Sequence, residues 1–98
     1  NQLESCLNSI WAQTYSNYQI IIVNDQLDKL NLDNYPTSPL RKSMIKLIDF
    51  GEYLGPIKSY QTALLNAETE VIAFLDEMDI LEPNCLTDIM NIYNTSKD

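Results

Sequence analysis

The chain has 98 residues, 45% hydrophobic and 9% aromatic, enough for one small packed domain over residues 1–98. Six basic against fourteen acidic residues give a formal charge of −8, which makes nucleic acid and anionic membrane poor partners for its field. With no histidine, a Ser-His-Asp triad, a Cys-His pair or a His-ligated zinc site cannot be built.

The first residue is Asn1, with no initiator methionine, and an amphipathic helix follows almost at once. That start suggests a piece excised from a longer protein. Leu3, Cys6, Leu7, Ile10 and Trp11 follow the stripe of a helix packed on a sheet. A polar turn at residues 14–17 leads into an expected buried strand at 18–23, carrying three consecutive isoleucines. Asn24, Asp25 and Gln26 stand at its C-terminal end. Residues 27–42, with Pro36 and Pro39 among polar residues, read as a long loop holding one short helical turn near 28–32. A third segment, 44–50, reads as a strand through Ile45, Leu47 and Ile48.

Gly51 and Gly55 are the only two glycines, and Pro56 suits the first position of a helix reaching about residue 67. Ile57, Tyr60, Leu64 and Ala67 lie at helical spacing on it. Then Val71-Ile72-Ala73-Phe74-Leu75 predicts a strand buried on both faces, running into Asp76, Glu77 and Asp79. A last helix after Pro83 places Leu86, Ile89, Met90 and Tyr93 on one face. Cys6 and Cys85 fall inside predicted helices without metal-ligand spacing and read as reduced, core-filling thiols, consistent with a cytoplasmic compartment. The apolar runs are only strand-length, so no signal peptide and no membrane insertion are expected.

Alternating elements of this kind predict an α/β three-layer sandwich with a mainly parallel, Rossmann-like sheet. Three strands are thin for that architecture and leave two open edges, a route to self-association. Carboxylates at the C-terminal ends of such strands lie where open α/β sheets bind ligands.

Four segments, in order, resemble the N-terminal, nucleotide-sugar-binding half of family 2 glycosyltransferases with the GT-A fold. Leu7-Asn8-Ser9-Ile10-Trp11-Ala12-Gln13-Thr14-Tyr15 is similar to the family's first helix and its Gln-Thr-Tyr turn. Ile20-Ile21-Ile22-Val23-Asn24-Asp25 is similar to the second strand, and Gly55-Pro56 to the start of the helix after the glycine turn. Ala73-Phe74-Leu75-Asp76 with Asp79 and Pro83 is similar to the strand bearing the Asp-x-Asp metal motif. The likeness covers nearly all of the chain. It implies an incomplete GT-A sheet, because the family's fold opens with a strand that precedes this first helix.

The resemblance implies transfer of a sugar from a nucleotide-diphosphate donor, a UDP-sugar first, to a glycan or polysaccharide acceptor, with inversion. The resemblance implies a bacterial-type, cytoplasmic parent enzyme, peripheral to the inner membrane. By carry-over, Asp25 with Gln26 would meet the nucleotide, and Gly55 would shape the turn beside it. Asp76 would lie near the ribose or metal, and Asp79 near a metal-bound diphosphate. The implied cofactor is Mn²⁺ or Mg²⁺, and the general base lies beyond this chain. Turnover from these residues alone is therefore not expected.

Several positions depart from the family pattern. Met78 stands where a metal carboxylate is usual, and a thioether is a soft ligand for a hard cation. Tyr60-Gln61 replaces an Arg-Asn pair, and Asn24 and Gln26 replace an Asp and a Gly. These changes keep a second reading open, a degenerate GT-A-like domain used for binding or assembly. A third, a flavodoxin-like or receiver-like module, lacks a placeable switch Lys or Thr. The plain reading of Asp76 and Asp79 is as helix-start carboxylates, and of Asp25 as a turn former.

Overall fold

The computed structural model describes residues 2–35 and 37–96, so Asn1, Pro36, Lys97 and Asp98 lie outside the described residues. In chain order the elements are α1 (Gln2–Trp11), β1 (Ile20–Asn24), a 3-10 turn (Leu32–Asn34), α2 (Pro39–Ser43), β2 (Ile45–Asp49), α3 (Pro56–Asn66) and α4 (Cys85–Ser96). The fold is α/β, with a two-stranded parallel sheet compatible with an incomplete Rossmann-like sheet. Two compact units result, one from Asn1–Tyr18 with Ala73–Asp98, the other from Gln19–Ile72.

In the first unit, α1 buries Cys6, Leu7 and Ile10, the stripe expected from its apolar spacing. Trp11 stacks on Tyr18 with ring centroids 6.4 Å apart, and the Tyr18 hydroxyl donates to the Ile10 carbonyl at 2.9 Å. These contacts end the helix and turn the chain back along it. The face of α4 is as expected for Leu86, Met90 and Tyr93, which are half-buried, while Ile89 is exposed. Both cysteines are free thiols, Cys6 buried and Cys85 half-buried.

In the second unit, β1 and β2 run parallel, with Ile20 opposite Ile45 and Asn24 opposite Asp49. Parallel strands need a long crossover, which residues 25–44 supply. That crossover holds a helix the loop reading lacked. Ser38 is the N-cap of α2 and accepts from the Arg41 N–H at 3.2 Å, while Pro39 takes the first helical position. The helical turn expected near 28–32 lies slightly later, at Leu32–Asn34, where Asn31 caps it.

Two expectations are corrected. Residues 71–75 form no strand, and the exposed Phe74 (49%) contradicts burial on both faces. A run of apolar residues becomes a strand only against a hydrogen-bonding neighbour, and among the described residues the only ladder joins β1 to β2. The boundary between the units also divides this run, between Ile72 and Ala73. The predicted apolar stripe of α3 is likewise not its packed face. Ile57 is 72% exposed, and Tyr60 and Leu64 are also exposed, whereas Ser59, Thr62, Ala63 and Asn66 are half-buried. A two-stranded sheet has too little area to cover the large side chains, so the small-residue face lies inward.

Candidate functional site

The second unit gathers polar groups at the C-terminal ends of its two strands. Parallel register sets Asn24 beside Asp49, and Asn24 Nδ2 donates to Asp49 Oδ1 at 2.8 Å. The same Asn24 amide donates to the Asp28 carbonyl at 2.9 Å, and the Leu30 N–H donates to Asp49 Oδ1 at 3.1 Å. The Asn24 amide, then the Leu30 N–H, hold the Asp49 carboxyl below its ordinary range, with Lys29's charge assisting against some desolvation. This network ties down both ends of the 25–30 loop that carries two of the expected donor residues. Asp25 is half-buried and accepts from the Gln26 side-chain amide at 3.3 Å; Gln26 is exposed.

Gly55, the third expected residue of this unit, precedes α3 with φ 89° and ψ 167°. A Cβ there would meet nothing within 4 Å, so the backbone conformation and not the space calls for glycine. Its carbonyl accepts from both the Ser59 N–H and the Ser59 hydroxyl, closing the first turn of α3.

The first unit carries Asp76 and Asp79 in one tight turn. The Asp79 N–H donates to the Asp76 carbonyl at 3.0 Å, and Asp79 Oδ2 accepts from the Asp76 N–H at 2.9 Å. Both carboxylates are exposed. Met78 is 69% exposed and, with Gln2, Ser5 and Ile80, lines an open groove of about 380 Å³. Burial, and then the charges of Asp79 and Glu77, push the Cys6 thiol up, so it keeps the proton it offers to the Asp76 carbonyl at 3.7 Å.

Among the described residues no three His, Cys, Asp or Glu side chains group as a metal cage would need. A Mg²⁺ or Mn²⁺ ion can instead take one or two carboxylates and complete its shell with substrate phosphates and water. Asp76 and Asp79 suit that kind of shared ion, with Asp79 Oδ1 unencumbered by the turn bond. The side chain of Met78, between them in sequence, offers no oxygen.

Asp49 is not singled out by the sequence as a site residue. Asp49 had a usable signal, since residues ending neighbouring parallel strands face the same edge as Asn24 and Asp25.

The model of the family described as "Glycosyl transferase family 2" matches residues 1–98. An uncharacterized glycosyltransferase of Nostoc sp. (strain PCC 7120) is 32% identical over 95 residues, which are 96% of this chain. The chain spans about 29% of the length of that curated relative. No solved structure matches it significantly. The match along its whole length identifies the chain as a member of glycosyl transferase family 2.

Proposed function

We propose that this chain is the donor-binding region of a glycosyltransferase that moves a sugar from a nucleoside-diphosphate donor, a UDP-sugar, onto a glycan acceptor with inversion. The observation that carries the reading is the family match over residues 1–98 combined with two exposed carboxylates held in one turn. Asp25 accepts from the nucleobase, with Gln26 beside it, and Gly55 lets the chain turn beside the nucleotide. Asp76 and Asp79 hold Mn²⁺ or Mg²⁺ together with the diphosphate. Such an ion, when bound, stabilises the negative charge left on the departing diphosphate. The general base that deprotonates the acceptor belongs to the family's following segment, and the part taken by these residues is to bind the donor. The parent works in the cytoplasm, at polysaccharide assembly beside the inner membrane.

Thermal shifts with UDP, ADP and GDP, each with Mn²⁺, test this. Binding to the folded state alone raises the melting temperature with ligand concentration. UDP raises it most in the wild type, and Asp25→Ala removes the preference for uracil. Equal shifts with all three nucleotides in the wild type would sink the assignment of Asp25.

A second reading has one observation in its favour. Met78 places an exposed thioether between the two carboxylates, as expected of a degenerate domain that binds without metal. Donor binding of equal strength with EDTA and with Mn²⁺ would favour it.

A further inference from the structure

Two side chains of α1, and a third two residues past its end, reach the segment that carries the acidic turn. Cys6 and Ser9 are spaced i, i+3 on the helix, and Gln13 follows its end, its N–H donating to the Ile10 carbonyl at 3.2 Å. Cys6 Sγ donates to the Asp76 carbonyl at 3.7 Å. Ser9 Oγ accepts from the Leu81 N–H at 3.1 Å while donating to the Cys6 carbonyl at 2.7 Å. Gln13 Nε2 donates to the Glu82 carbonyl at 2.7 Å and to the Ser9 carbonyl at 3.1 Å, and Gln13 Oε1 accepts from the Leu86 N–H at 3.0 Å.

Gln13 is only 8% exposed, a buried amide whose oxygen and nitrogen are both satisfied. Leaving such a group unpaired costs more than the bond itself contributes, so its contacts are strongly specified. Thr14 holds the same segment further along, its N–H donating to the Pro83 carbonyl at 2.9 Å, while Asp76 and Asp79 bond each other within the turn. Residues 76–80 are exposed and lie outside any helix or strand, so their own burial cannot choose one conformation. The bonds from these three side chains to that segment all go to main-chain atoms, at Asp76, Leu81, Glu82 and Leu86. The carboxylates stay outside the network.

We propose that Cys6, Ser9 and Gln13 are positioning residues: acting through the main chain, they fix the turn bearing Asp76 and Asp79 and so set its affinity for the donor diphosphate. The link to the donor rests on the reading under Proposed function; the fixing of the turn does not. Each lost hydrogen bond should weaken UDP binding about two- to tenfold.

The test compares ¹⁵N-labelled wild type with Ser9→Ala, Ser9→Thr, Gln13→Ala and Gln13→Glu, by amide exchange, amide resonance positions and UDP titration with Mn²⁺. Ser9→Ala speeds exchange at Leu81, moves the Asp76 and Asp79 resonances and weakens UDP; Ser9→Thr, which keeps the hydroxyl, restores all three. Gln13→Glu keeps the acceptor for the Leu86 N–H but loses the donor to Glu82, so Leu86 stays protected while the turn resonances move. If Gln13→Ala fails to fold, the serine pair and Gln13→Glu decide the matter. Uniform destabilisation, with the turn resonances unmoved and no rescue by threonine, would overturn the proposal. So would wild-type UDP binding that every folded variant retains. Moved turn resonances in a protein whose wild type ignores UDP support the fixing of the turn and refute the donor reading alone.

Discussion

Asn24 and Asp49 end adjacent parallel strands as a matched pair, an amide against a carboxylate at 2.8 Å. That pairing gives a reason for asparagine at a position where the family commonly has aspartate. A carboxylate at 24 would face the Asp49 carboxylate directly across the ladder, and like charges so placed are destabilising. Asn24→Asp should therefore lower the urea midpoint at pH 7 relative to the wild type, and Asn24→Asp with Asp49→Asn should recover part of the loss. An undiminished midpoint in the single variant would show that the pair does not act across the sheet.

The lowered Asp49 carboxyl also fixes the sign of a pH effect. A carboxyl more acidic folded than unfolded contributes stability that is fully present above its unfolded value, here ordinarily 3.8. The contribution is lost as pH falls through the lower folded value. Stability curves between pH 7 and 2 should show the wild type losing more than Asp49→Asn below about pH 4. Parallel curves would remove Asp49 from the acid response.

Gly55 adopts a backbone region that is almost confined to glycine. Since nothing crowds its missing Cβ, Gly55→Ala should cost about 1–3 kcal/mol from backbone strain alone. Chemical denaturation measures it, and D-alanine introduced by ligation should fold as well as glycine. An equal loss with both stereoisomers would mean that space, not φ, is limiting.

Met78 sits between the two carboxylates of the turn and offers no hard ligand. Met78→Asp adds a third carboxylate and should tighten Mn²⁺ binding roughly tenfold, since ligand charge count tunes the affinity of such sites. Electron paramagnetic resonance of free Mn²⁺ reads the change directly. No gain would mean that residue 78 does not face the ion.

What could be read in advance follows from what each signal measures. The Cys6, Leu7 and Ile10 stripe reports a helix that buries one face, and α1 does so. The three isoleucines of β1 and the apolar residues of β2 likewise mark strands, displaced by one or two residues from their expected ends. The same reasoning failed at residues 71–75, because apolar content says that a segment can be a strand but not that a neighbour will pair with it. It failed on α3 because periodicity locates an apolar stripe without saying how much sheet there is to cover it. The α2 helix was hidden by its proline content, although Ser38-Pro39 is itself a helix-start signal. At the site, Asp76 and Asp79 were legible as neighbours three apart, whereas Asp49 became visible only through strand register.

The most direct test of the donor-site reading is a calorimetric titration of the folded chain with UDP, with and without Mn²⁺, beside Asp76→Ala. The reading predicts heat that requires Mn²⁺ and disappears in the variant. Absence of heat from a wild type shown to be folded, or heat indifferent to both metal and Asp76, would contradict it.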